Sequence, residues 1–136
     1  MEMHAVEAMP TVITSRSHGE CGEMPSNSAK TNCEWNYDAL AAEAAIEPVY
    51  QDLLKSMDAA DRERKARSPY LQDGHPSFRE ALIASQTSWI KFRDAQCQIE
   101  MFEWRGGTSE QQRYEMCAVR MNGDRLAQLQ EMQRKY

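Results

Sequence analysis

Four cysteines fall at 21, 33, 97 and 117, and the last two stand almost symmetrically about the pair Gly106-Gly107. That symmetry restricts the fold more than any other feature of the chain. Before the glycines, Phe78, Leu82, Trp89, Phe92 and Ile99 form one stripe, and Ile83, Ile90, Cys97, Met101 and Trp104 form the next. After them come Tyr114, Cys117, Val119 or Met121, Leu126 and Leu129. Three- and four-residue recurrence of this kind is the mark of helices with broad apolar faces. The spacing predicts helices over about 77–104 and from 108 onward, the second opened by Thr108 with Gln111 three residues on as a capping box. Gly123 lies inside that second helix and weakens it by about 1 kcal/mol against alanine. In an antiparallel pair both cysteines sit about ten residues, or roughly 15 Å, from the turn and should face each other. Of the three connectivities four cysteines allow, this favours Cys97–Cys117 and leaves Cys21–Cys33 as a local bridge.

A further helix is expected over 39–57, where Leu40, Ala44, Val49 or Tyr50, Leu53, Leu54 and Met57 recur among helix-forming alanines, with Ser28 or Asn32 as its cap. Pro48 falls inside this run and should kink or split it. The charged segment "DAADRERKARS" reads as a solvated helix end closing before Pro69, and "SPYLQDGHPS" as a loop. Residues 1–27 show turn clusters and no sustained periodicity, so they are read as an irregular segment tied by Cys21 to a helical domain over 28–136. The expected fold is all-α: an antiparallel bundle of three main helices stapled by two disulfides.

The chain has 136 residues and a formal net charge of -5, enough for one modest core. Residues 1–66 carry 12 acids against 6 bases, and residues 67–136 carry 9 against 10. An acidic balance argues against nucleic acid or anionic lipid as partner and favours a basic protein. Arg105-Gly106-Gly107 is accordingly a turn. No C-x-x-C pair occurs, and His18 near Cys21 is the only histidine close to a cysteine, so neither metal nor cofactor is expected. Disulfides imply an oxidising compartment. No secretion signal is legible in "MEMHAVEAMP", so the reading is of a periplasmic or cell-surface protein whose signal has been removed.

One stripe resists a plain core reading. Gln86, Arg93 and Cys97 share a helix face with Trp89 beside them. A guanidinium there needs partners, because an unpaired buried charge is too costly to keep. Glu43, Glu47, Asp52 or carbonyls at a helix end are the available ones. A structural ion pair with its stem packed on the tryptophan satisfies the pattern, and a binding role is the alternative.

These residues carry a resemblance. Cys21 and Cys33, then Glu43, Ile46, Glu47 and Tyr50, then Gln86, Trp89, Phe92, Arg93 and Cys97, and finally Gly106, Gly107, Cys117, Arg125 and Leu126 are similar in order and spacing to the motifs of the LprI-like lysozyme-inhibitor family of secreted bacterial proteins. The likeness spans residues 21–130. Ser85 stands where the family usually has alanine, Glu47 where it has asparagine, and Pro48 interrupts the first helix. The resemblance implies a small helical, disulfide-bonded protein of the periplasm or cell surface that inhibits lysozyme.

Three functions are weighed. The first is an inhibitor that binds a basic lysozyme or another peptidoglycan-cleaving enzyme, in its sharper form an immunity protein against a wall-degrading toxin. The second is an enzyme, against which stands the absence of a G-x-S-x-G elbow, an H-E-x-x-H helix and a phosphate-binding glycine loop. The third is an envelope adaptor that inhibits nothing. No catalytic residue is assigned. Partner contact is expected at the turn, through Trp104, Arg105 and Thr108, or on an acidic face with Glu43, Glu47 and Asp52; Trp104 is equally suited to cap the core.

Overall fold

The structure is a computed structural model that describes residues 18–68 and 74–136. A 3-10 turn, His18–Glu23, leads into three helices: α1 (Asn27–Arg67), α2 (Phe78–Phe102) and α3 (Glu110–Lys135). No strand occurs among the described residues. The all-α reading holds, and both expected disulfides are present, each with 5.5 Å between its Cα atoms. The calls on residues 1–17 and 69–73 lie outside the described residues.

Contacts between helices fix the direction of each. Asp61 of α1 meets Phe78 of α2, and Glu43 meets Arg93, so α2 runs antiparallel to α1. Cys97–Cys117, Arg93–Asn122 and Gln86–Arg125 turn α3 back along α2. Asn36 with Glu115 and Asp52 with Gln133 then show α1 and α3 lying side by side in the same direction. The order is up, down, up.

α1 is longer than expected. It starts at Asn27 because Ser26 has extended backbone and its hydroxyl accepts from the Ala29 N–H at 3.1 Å, so neither Ser28 nor Asn32 is the cap. It then passes through Pro48 as one helix of 41 residues, and the division at that proline does not occur. Pro48 is exposed, so the carbonyl its ring leaves without a donor lies toward the wet side of the helix. The charged "DRERKAR" stretch continues the helix to Arg67, where Arg64, Lys65 and Arg67 complement the negative end of the dipole.

α2 has a fully occupied N-terminus. Ser77 and Glu80 form a reciprocal capping box. The two preceding amides, of Phe78 and Arg79, donate to the Asp61 carboxylate of α1 at 2.9 and 3.0 Å. Asp61 thus caps one helix from another, satisfying donors that an isolated α2 would leave to water. α3 differs: Ser109 precedes it with φ -94° and ψ 0° and makes no side-chain cap bond, so the expected Thr108–Gln111 box is not formed. The Glu110 side chain reaches back to the Gly106 N–H instead, at 3.2 Å.

The interior is graded along the bundle axis. Ile46, Tyr50, Leu53, Leu54, Met57, Leu82 and Leu129 form the apolar core, with Val49, Phe78, Ile83, Trp89, Leu126 and Met132 packed around it. Its fully buried aliphatic members each contribute about 1.5–3 kcal/mol relative to exposure. Toward the Gly-Gly turn this packing gives way to a polar layer and then to the two disulfides, of which Cys97–Cys117 is wholly buried and Cys21–Cys33 is buried at Cys21 only. Cross-links therefore hold the half of the bundle where apolar area is scarcest.

Gly123 remains helical and exposed, without a positive φ, and a Cβ added there meets nothing within 4 Å. Gly123→Ala should therefore stabilise the protein by about 0.5–1 kcal/mol, raising Tm by roughly 2–5 °C. Thermal unfolding followed by circular dichroism checks this; an unchanged or lower Tm contradicts it.

Candidate functional site

Two groups of residues invite a functional reading, one internal and one external. The internal group is the polar layer. Arg93, 8% exposed, places its guanidinium 3.3 Å from the Glu43 carboxylate, 2.8 Å from that of Asp94 and 3.1 Å from the Asn122 carbonyl oxygen. Asn122 in turn donates to the backbone carbonyl of Ala39 at 3.5 Å. One turn toward the apolar end, Arg125 donates to Gln86 at 2.9 Å and to the Ser85 hydroxyl at 3.0 Å. The Trp89 ring lies within cation–π reach of both guanidinium groups, at 5.3 Å from Arg93 and 5.7 Å from Arg125.

The two arginines are balanced differently. Burial opposes the Arg93 charge, but the field of Glu43 and the hydrogen bond to Asp94 outweigh it and hold its pKa above the usual value. Burial lowers that of Arg125, which is bonded to neutral groups and, among the described residues, has no carboxylate partner. Of the three carboxylates the sequence offered to Arg93, the fold selects Glu43. That choice turns Glu43 inward, so it is not part of an exposed acidic face. The Gln86, Trp89 and Arg93 stripe is internal, as its chemistry required; Phe92 of the same motif points outward and is 58% exposed.

The external group is the turn between α2 and α3. Trp104, Arg105 and Gly107 donate their N–H groups to the carbonyls of Met101, Phe102 and Trp104, winding the chain tightly past the helix end. Gly106 has φ 84°, a left-handed conformation that side chains disfavour. A Cβ on Gly107 would come within 3.3 Å of the Trp104 carbonyl oxygen. The two glycines thus permit a close reversal that presents Trp104, Arg105 and Thr108 together to solvent. Trp104 is 43% exposed, with the Arg113 guanidinium 3.9 Å from its ring centre, and Arg105 stacks over Phe102 at 4.3 Å. Two aromatic–guanidinium pairs therefore stiffen this tip without burying it.

Beside the turn, a cleft of about 510 Å³ opens among the 3-10 turn, α1 and α3, with Glu20, Asn32 and Glu115 on its walls. Glu115 accepts from Asn36 at 2.6 Å and Gln111 at 3.0 Å, and Glu20 from the Tyr37 hydroxyl at 3.0 Å. Its two carboxylates, each already accepting from a neighbouring side chain, are set among apolar and amide groups. Glu47, half-buried and bonded to Gln51, and Asp52, bonded to Gln133, lie 11 and 16 residues beyond Asn36 of the cleft wall along α1, roughly 16 and 24 Å further down the bundle. The expected contact residues are therefore two separate patches. Among the described residues no group of three His, Cys, Asp or Glu side chains is placed to hold a metal ion. No helix of the described residues is long and apolar enough to cross a membrane.

Comparison with known proteins agrees with these motifs. The family described as lysozyme inhibitor LprI matches residues 21–129. An uncharacterized protein of Rhizobium meliloti (strain 1021) is 32% identical over 95 residues, which is 70% of this chain and 66% of that relative. The matched part of the chain thus spans just under two thirds of the relative's length. No solved structure matches.

Proposed function

The chain belongs to the LprI lysozyme-inhibitor family, and from that premise we propose that it is a periplasmic inhibitor which blocks the cleft of a lysozyme or lysozyme-like peptidoglycan hydrolase, guarding its cell as an immunity protein. Family membership and two disulfides are those of an extracytoplasmic protein. The observation that carries the reading is the rigid tip at Trp104, Arg105 and Thr108, which is exposed, aromatic and cationic, with an acidic cleft at its side. Tryptophan and arginine are the residues that most often dominate binding energy at protein interfaces. Glycoside hydrolases cleave with a pair of carboxylates on either side of the scissile bond. Arg105, carried on a tip narrow enough to enter a substrate groove, supplies the cation such a pair lacks when sugar is absent. The cleft lined by Glu20 and Glu115 then receives a lysine or arginine from the rim of a basic enzyme. Nothing in this arrangement requires catalysis by the inhibitor, in keeping with an inhibitor family.

The test is lysis of peptidoglycan by a panel of lysozymes and wall hydrolases, with and without the purified full chain. Inhibition of at least one is expected. Trp104→Ala and Arg105→Glu should each weaken it by ten-fold or more while leaving the melting temperature within about 1 °C, since both side chains are exposed. Raising salt from 50 to 500 mM should weaken it several-fold, mainly through slower association. Unchanged lysis across the panel defeats the proposal, and inhibition indifferent to both substitutions moves the contact away from the turn.

A further inference from the structure

An uncharged seam runs along the outward face of α2 from Ala81 to Phe102, with Lys91 at its edge. Ala81, Ala84, Ser85, Ser88, Phe92, Ala95, Ile99 and Phe102 are all exposed, and Phe92, Ile99 and Phe102 keep 58, 57 and 54% of their surface in contact with solvent. Phe92, Ala95, Ile99 and Phe102 follow each other at spacings of three, four and three, the a and d positions of two heptads. Ser85, Ser88 and Ala81 continue the seam toward the start of the helix. On the far side of α2, Gln86, Ile90, Arg93 and Cys97 are buried; the seam itself meets the rest of the described chain at Ser85, whose hydroxyl accepts from Arg125, and at Phe102, which lies under Arg105, and Phe92 and Ile99 between them stay open to solvent. It is bulky at its C-terminal half and small at its N-terminal half.

That gradient selects its own partner. When two copies of α2 lie antiparallel, one heptad register places Phe92 against the other copy's Ala95, Ile99 against its Ser88, and Phe102 against its Ser85. Every large residue then meets a small one, and each contact occurs twice by two-fold symmetry. Shifting by one heptad sets Phe92 against Phe102 and leaves Ser88 opposite the glycine turn. A parallel pair sets phenylalanine on phenylalanine. The favoured register also brings Phe102 to the edge of a surface groove of about 490 Å³ lined by Glu80, Ile83, Ala84, Thr87 and Ser88. We propose that the occupant of this face is a second copy of the chain, docked antiparallel through α2 in that register.

The area sets the strength. A full aromatic side chain buries about 150–250 Å², so six half-exposed bulky residues withdraw on the order of 600 Å². With the small residues between them the interface approaches the roughly 1,200 Å² at the lower limit of specific, stable ones. The dimer is therefore weak and concentration-dependent, forming in the micromolar range. Its two tips at Trp104 stay outside the seam, so inhibition and dimerisation are separable.

Sedimentation equilibrium of the full chain from about 1 to 300 µM tests this, with a rise from one chain's mass to two expected. The double variant F92E/I99E should raise the dissociation constant by a hundred-fold or more, with an unchanged circular dichroism spectrum and melting temperature, because both side chains are already exposed. An oxidised mixture of Ser88→Cys and Ile99→Cys copies should yield the mixed cross-link. A mass of one chain at every concentration overturns the proposal, as does a dimer unaffected by F92E/I99E or one cross-linked only through Phe92→Cys with Phe102→Cys. A wild-type chain that stays single while F92E/I99E abolishes hydrolase inhibition would give this face to the enzyme instead.

Discussion

Arg93→Ala is expected to lower the stability of the protein by about 3–5 kcal/mol in urea denaturation followed by circular dichroism. The size follows from what remains behind. Glu43 and Arg93 side chains are 11 and 10% exposed, so removing the guanidinium leaves a carboxylate without its cation where water hardly reaches. Asn122 loses the donor to its carbonyl oxygen, and Trp89 loses one of the two guanidinium groups beside it. Asp94 contributes little to the loss, since half of its side chain is in water. The companion experiment separates the charge from the space it occupies. Arg93→Met with Glu43→Leu removes both members of the pair and keeps most of the volume, and it should recover more than half of the lost stability. Such a recovery identifies the unpaired charge as the cost, in keeping with the general finding that apolar replacements of buried ion pairs are tolerated. A loss below about 1 kcal/mol for Arg93→Ala would show that water enters this layer, and would remove the ion pair from any account of the fold.

Much of this arrangement was readable in the residues. The Gly106-Gly107 reversal and the cysteines on either side of it fixed the hairpin of α2 and α3, because helical rise converts equal sequence distance into equal height. The apolar stripes placed the start of α2 near 77, and the Ser77–Glu80 box that caps it emerged only in the structure. The stripe of Gln86, Arg93 and Cys97 announced a buried cation, and the right carboxylate was among the three on offer. Which apolar stripe faces inward was not readable. Periodicity places Phe92 and Ile99 beside Leu82 and Trp89, and only the three-dimensional pairing of Arg93 with Glu43 shows that polar residues hold the core positions and turn the phenylalanine outward. The same pairing withdrew Glu43 from the acidic surface. Asp61 was invisible for another reason: a carboxylate that caps a different helix leaves no local pattern. The charged end of α1 was readable as a helix closing before Pro69; what was hidden was its continuity through Pro48, because a proline ring that faces solvent leaves its orphaned carbonyl to water. At the candidate site, exposure of the turn followed from its glycines, whereas the cleft beside it depends on how the Cys21–Cys33 bridge seats the 3-10 turn against α1 and α3.

Replacing both Cys97 and Cys117 with alanine is the second large effect, an expected loss of about 3–4 kcal/mol. With a sequence separation of 20 between the cysteines, chain entropy of the unfolded state alone accounts for about 3 kcal/mol. The packing adds to it. Both sulfurs are 0% exposed, and the Met121 sulfur lies 3.9 and 3.7 Å from them, so two alanines leave a space that Met121 fills only in part. Because the apolar core of Ile46, Leu53, Leu82 and Leu129 is concentrated toward the opposite end, the loss should be uneven along the bundle. Amide hydrogen exchange should accelerate most over 94–120 and least over 46–57. The tip at Trp104 sits on that loosened hairpin, so inhibition of the target hydrolase should weaken by more than ten-fold at a temperature where the variant is still folded. Removing Cys21 and Cys33 instead releases the 3-10 turn and the wall of the acidic cleft but leaves the hairpin closed. If the two double variants lost equal stability and showed the same exchange pattern, the bundle would be cooperative from end to end, and the division into an apolar half and a cross-linked half would have no energetic meaning.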